Sequence, residues 1–173
     1  MSNVTADRDA VDEKLEGWIA DLPGIDLEVE GIVERIQLLY KRVRTMLDDT
    51  LAEFGLNVGE WAVLGSLLRA GPPHRRSPGQ LAKSFDLTSG AMTNRLDRLE
   101  TEKLIRRLPD PEDRRGVIVE LTAEGRKVWE SSVGAQAAKE QFVASGLNRS
   151  EQEQLNALLR RMVHSSEQAA TLR

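Results

Sequence analysis

Residues 77–104 read SPGQLAKSFDLTSGAMTNRLDRLETEKL, and how this stretch divides decides the fold. Ser77 suits an N-cap, Pro78 the first helical position and Gln80 the third, which is capping-box spacing, with Leu81, Ala82 and Phe85 facing inward. DLT at 86–88 then interrupts the pattern. A second short helix follows, with Met92, Leu96 and Leu99 inward and Gly90, Thr93, Asn94, Asp97 and Arg98 outward. Helix, three-residue turn, helix is the spacing of a helix-turn-helix.

Downstream, LIRRL at 104–108 and GVIVEL at 116–121 have the β-branched alternation of two strands, so residues 109–115, PDPEDRR, become the loop of a hairpin. From Thr122 a helix runs through Val128, Trp129 and Val133. A last helix opens on Asn148 and Glu151, again in capping-box spacing, and is expected to bury Leu155, Leu158, Leu159, Met162 and Val163. Upstream, Asn57 and Glu60 open a helix carrying Trp61, Leu64, Leu67 and Leu68 that closes at Gly71 before two prolines. Before it, Ile32, Ile36, Leu39, Val43, Met46, Leu47, Leu51 and Phe54 form an apolar stripe long enough for a scaffold or interface helix. A short amphipathic helix with Val11, Leu15, Trp18 and Ile19 on one face precedes that and is stopped by DLPG at 21–24. The expected fold is mainly α with a small β-hairpin wing: a winged helix-turn-helix between long terminal helices.

At 173 residues the chain has room for one compact unit with extensions. It has no cysteine, which rules out disulfides, thiolate nucleophiles and thiolate metal sites, and its only histidines are His74 and His164, too few for a histidine-rich metal centre. His164 with Glu167 reads as a surface pair. No GxSxG, HExxH or phosphate-binding glycine loop occurs, so neither catalysis nor a cofactor is expected. No run of about 18 apolar residues is present, and the first residues are acidic where a signal peptide would be basic, so a cytoplasmic, non-membrane protein is expected.

The net charge of −4 conceals an uneven distribution. Residues 1–68 carry 6 basic and 14 acidic side chains, residues 69–116 carry 11 and 7, and residues 117–173 carry 7 of each. The positive balance therefore falls on the helix-turn-helix and hairpin, where duplex DNA would be met. A major groove about 12 Å wide admits the second short helix. Ser89, Gly90 and Ala91 keep its leading turn slim, Thr93 and Asn94 can exchange hydrogen bonds with bases or phosphates, and Arg95 and Arg98 can reach phosphates or a guanine. Ser77, at the start of the first short helix, joins these candidates. An arginine at a hairpin tip can enter the minor groove, with Asp113 steadying Arg115 and Arg114 beside them. The alternative is a polar, solvated helix face and a surface turn, in a helical module that binds a partner protein instead.

The run GAMTNRLDRLETEKLIRRLPDPEDRRGVIVELTAEGR at 90–126 resembles the core of the MarR family of bacterial transcription regulators, above all in the D-x-R wing followed by V-x-L-T-x-x-G. The resemblance implies a homodimer on a palindromic operator. Residues 31–56 and 123–173 would be dimerisation helices, 57–122 the winged DNA-binding domain, Arg115 the minor-groove arginine and Asp113 its partner. A leading helix within 1–24 that carries Trp18, the AGPP at 70–73 and the GAMTNRLDRLE run are similar to the urate-responsive branch of that family. That likeness implies a pocket for a small aromatic or purine-like anion using Trp18 and Arg107, with Arg95 linking pocket to DNA contact. One position departs: Ala62 follows Trp61 where that branch has an acidic residue.

Overall fold

The computed structural model describes residues 8–19, 24–111, 113 and 116–171, which divide into two compact units, 1–49 and 50–173. In the first unit, α1 (Ala10–Ile19) buries Val11 and Leu15 and leaves Trp18 half-buried. It is fastened to α2 (Leu27–Glu53) by Arg35, which reaches Asp9 at 2.9 Å and Asp12 at 2.6 Å, and by Lys14 to Glu34 at 2.5 Å. The Arg35 hydrogen bond holds the Asp9 carboxyl below its ordinary value. α2 begins four residues before the expected start at 31 because the Asp26 carboxylate accepts from the amides of Glu28 and Val29 and caps the helix there. Of the expected stop at 21–24, only Gly24 lies within the described residues.

In the second unit the order is α3 (Val58–Arg69), β1 (Arg75–Arg76), α4 (Pro78–Ser84), α5 (Ser89–Thr101), β2 (Ile105–Pro109), β3 (Val117–Leu121), α6 (Ala123–Val143) and α7 (Arg149–Thr171). Capping boxes close at Asn57 with Glu60, Ser77 with Gln80 and Asn148 with Glu151. The turn between α4 and α5 places Asp86 at φ 50°, a left-handed conformation that an Asp tolerates better than most residues. Leu64, Leu67, Leu81, Met92, Leu96, Leu99, Ile105 and Val119 form the buried core on which α3, α4, α5 and the sheet converge.

The hairpin acquires a third strand: β3 is central, with β2 antiparallel on one side and β1 on the other. Register sets Glu120 between Arg75 and Arg106, and both guanidiniums pair with its carboxylate. Burial alone would raise the Glu120 pKa; the two arginines outweigh it and lower the value. After β3, Thr122 caps α6 by accepting from Gly125 N at 2.9 Å and donates to Lys103 O at 2.8 Å, while its own amide reaches Leu104 O at 3.1 Å. Gly125 is required there, since a Cβ would fall 2.0 Å from the Leu104 carbonyl oxygen. The wing is thereby fixed to the start of α6. Farther along α6, Trp129 stacks on Trp61 with ring centroids 6.1 Å apart, and Trp61 Nε1 donates to Ser132 Oγ at 3.0 Å.

The expectation that α7 buries its apolar stripe does not hold in the single chain. Leu155, Leu158, Leu159, Met162 and Val163 are 38–53% exposed. Ile32, Ile36 and Leu39 of α2 are exposed as well. The amphipathic pattern is real in both helices, but one chain does not cover it.

Candidate nucleic-acid interface

The front of α5 is small and polar for a local reason. Met92, Leu96 and Leu99 occupy one face and are buried, so the 3.6-residue repeat turns Ser89, Gly90, Ala91, Thr93 and Asn94 outward, and all five are exposed. The helix opens at Ser89, directly after the expected turn at 86–88, and its N-cap is Thr88, with Oγ1 accepting from Ala91 N at 3.2 Å. Thr93 Oγ1 donates to Ser89 O at 2.9 Å, and a Cβ at Gly90 would meet nothing within 4 Å. The first two turns can therefore approach a groove floor closely. Ser77 is half-buried, and its hydroxyl oxygen accepts from Gln80 N at 3.2 Å, which leaves its proton available to a phosphate.

Behind this front the charged side chains of α5 engage the protein. Arg95 is half-buried, its Nη1 donates to Gly59 O at 3.3 Å, and a Cβ at Gly59 would lie 2.5 Å from the guanidinium carbon. Arg98 Nε sits 3.0 Å from Glu60 Oε1; the arginine side chain is 70% exposed and the glutamate 3%. Arg107 of β2 takes Asp97 at 2.7 Å and Glu100 at 2.6 Å, and its backbone amide donates to Glu100 Oε1 at 2.9 Å. Burial opposes the Arg107 charge, but hydrogen bonds to Asp97 and Glu100 more than compensate and raise its pKa. The helical pattern gave Arg98, and the family resemblance Arg107, as candidates without these partners. The available signal was a glutamate, Glu60, in the first turn of an otherwise apolar helix.

At the wing, Asp110 N donates to Gly116 O at 3.0 Å and Gly116 N to Asp113 O at 2.8 Å, and a Cβ on Gly116 would crowd Asp110 Cβ at 2.8 Å. Asp113 is exposed at this turn; Arg114 and Arg115 lie outside the described residues. Trp18 belongs to the first unit, where Lys14 Nζ stands 4.8 Å above its ring, while Arg95 and Arg107 belong to the second. His164 and Glu167 form the exposed pair expected, at 3.5 Å. Among the described residues no group of three or more His, Asp or Glu side chains is placed to hold a metal, and no helix is long and apolar enough to cross a membrane.

Comparison with known proteins places this geometry. A model of the MarR family matches residues 54–116. The HTH-type transcriptional regulator PecS of Dickeya dadantii is 32% identical over 155 residues, covering 88% of this chain and 92% of that protein. A mutant of MarR from E. coli complexed with operator DNA superposes with a TM-score of 0.59 at 27% identity, over 78% of this chain and 95% of that one. A mutant of S. aureus MepR bound to an oligodeoxyribonucleotide gives 0.63 at 26% identity, over 78% and 96%.

Proposed function

Because the chain belongs to the MarR family and is a DNA-binding transcriptional regulator rather than an enzyme, we propose that it acts in the cytoplasm as a homodimeric repressor of a pseudo-palindromic operator, released by a small anionic aromatic or purine-like ligand. The observation that carries this reading is the front of α5: two turns of small and polar side chains, seated on a buried apolar face beside a three-stranded wing. Ser89, Gly90, Ala91, Thr93 and Asn94 meet base edges, and Ser77, Arg95 and Arg98 the flanking backbone. Arg115 enters the minor groove with Asp113 beside it, and Arg114 contacts phosphate.

The dimer is supported by the two uncovered apolar stripes. Ile32, Ile36 and Leu39 on α2, and Leu155, Leu158, Leu159, Met162 and Val163 on α7, are exposed in the single chain at helical spacing, and exposed apolar stripes of this kind are what protein–protein contacts use. Full burial of such a side chain from water is worth roughly 1.5–3 kcal/mol, and these, already about half covered, would gain about half of that each. In this reading 31–56 and 123–173 supply the dimerisation helices and 57–122 the DNA-binding domain, with the helix in 1–24 as an addition.

Release by an anion is supported by residue chemistry. Trp18 offers a stacking face, and Arg107 and Arg95 planar guanidiniums. With Ala62 in place of an acid, an anion that takes Arg107 competes with Asp97 and Glu100 instead. The test is an anisotropy titration of duplex from the gene's own upstream region. Affinity should fall steeply as salt rises, Arg115→Ala should cost about 1–3 kcal/mol with the dimer intact, and urate or salicylate should release DNA from the parent and not from a Trp18→Ala variant. Salt-insensitive or absent binding favours a protein-interaction module; release that is unchanged in Trp18→Ala removes Trp18 from the ligand site.

A further inference from the structure

Among the described residues four helices begin with a reciprocal cap between the N-cap residue and the third helical residue, α1 doing so through Asp9 and Asp12, and one, α3, differs in a way that capping does not explain. At α4 a neutral side chain does the work: Gln80 Oε1 accepts from Ser77 N at 2.9 Å. At α7 a carboxylate does it in solvent, with Glu151 accepting from Asn148 N at 2.7 Å. At α3 Glu60 Oε2 accepts from Asn57 N at 2.9 Å, yet Glu60 is 2% exposed. Burying a carboxylate is costly unless it is paired, and Gln80 shows that a glutamine serves the cap equally well. The charge of Glu60 answers to its second oxygen, Oε1, which holds Arg98 Nε at 3.0 Å. Arg98 lies in α5, so this pair ties the first turn of α3 to the helix that faces DNA.

A second tie grips α5 from another side. Arg107 of β2 spans Asp97 and Glu100, and Glu100 also receives the Arg107 amide. On a helix of 3.6 residues per turn, Arg98 and Glu100 point roughly 160° apart. The two ties therefore restrain α5 against rotation about its own axis, the motion that would change which side chains meet a groove. Neither Glu60 nor Arg107 lies on the exposed front of the helix.

We propose that Glu60 and Arg107 are positioning residues for DNA reading: acting through Arg98 on one side and through Asp97 and Glu100 on the other, they fix the rotation of α5 so that Ser89–Asn94 face the bases. This rests on α5 being the recognition helix. A helix held at one angle gains from the correct sequence, whereas binding to any duplex depends on phosphate contacts, which neither Glu60 nor Arg107 makes.

The experiment uses the full chain, a duplex enriched by the parent protein from a random pool, and a shuffled duplex of the same composition. Glu60→Gln keeps the cap, as Gln80 does, and deletes the charge. The expected result is that its preference for the enriched duplex falls tenfold or more, while binding to the shuffled duplex and the salt slope match the parent. Arg107→Lys keeps the positive charge without the fork that spans two carboxylates, and its preference should fall likewise, so the test survives if Glu60→Gln does not fold. Glu60→Gln and Arg98→Gln should be non-additive, the double variant losing no more preference than the worse single one. A lower melting temperature with preference within twofold of the parent would assign the ties to stability alone and overturn the proposal. A parent with no preference between the duplexes would instead sink the reading of α5 itself, and the positioning role with it.

Discussion

At the scale of single residues, the LTAEG run at 121–125 shows how a short pattern encodes a joint. Thr122 accepts from Gly125 N and donates to Lys103 O, so one hydroxyl caps α6 and holds the segment that leads into β2. Gly125 then admits the Leu104 carbonyl at a distance no Cβ could tolerate. Gly125→Ala should destabilise the fold by about 1–3 kcal/mol or more, the range for overpacking a filled site, read as a lower melting temperature. Parent-like stability would mean that α6 and β2 can separate without cost. Trp18, Arg95, Arg98 and Arg107 were legible as polar or aromatic residues in meaningful places, but their partners were not, because pairs such as Glu60 with Arg98 are brought together only by the tertiary fold.

At the scale of elements, what could be read were the units with local signals. The caps at Asn57, Ser77 and Asn148 and the apolar repeat Met92, Leu96, Leu99 each fix a helix from within a few residues, and all recur in the structure. β1 escaped because two residues, Arg75 and Arg76, offer no alternation to detect. Its presence gives Glu120 a setting that the strand pattern alone does not show: it is buried between Arg75 and Arg106. Its pKa is lowered in the fold, so its contribution to stability is complete above the ordinary glutamate value of 4.5 and is lost as pH falls through the lowered value. Glu120→Gln should therefore be less stable than the parent near neutrality, with the gap closing as pH drops below that range. Thermal melts across pH measure it, and a gap that stays constant into acid would remove Glu120 from the linkage.

At the scale of the whole molecule, the charge asymmetry and the two uncovered stripes point the same way. A segment with 14 acidic against 6 basic residues repels phosphate, and the segment bearing the helix-turn-helix and wing attracts it, so encounter with DNA is biased toward the α5 front. The stripes on α2 and α7 were legible as amphipathic patterns, but an apolar face looks the same in sequence whether its own chain or a second copy covers it. The stripe from Leu155 to Val163 is 38–53% exposed in the single chain, and in the proposed dimer the second copy covers it. A second copy would place two α5 helices on one face of the duplex, about 34 Å apart. Hydroxyl-radical footprinting of the upstream duplex, with the mass of the complex measured in parallel, tests this directly. Two chains per duplex and two dyad-related protected patches centred one helical turn apart are expected. A single patch under one chain, or no protected patch at all, would contradict the dimeric reading.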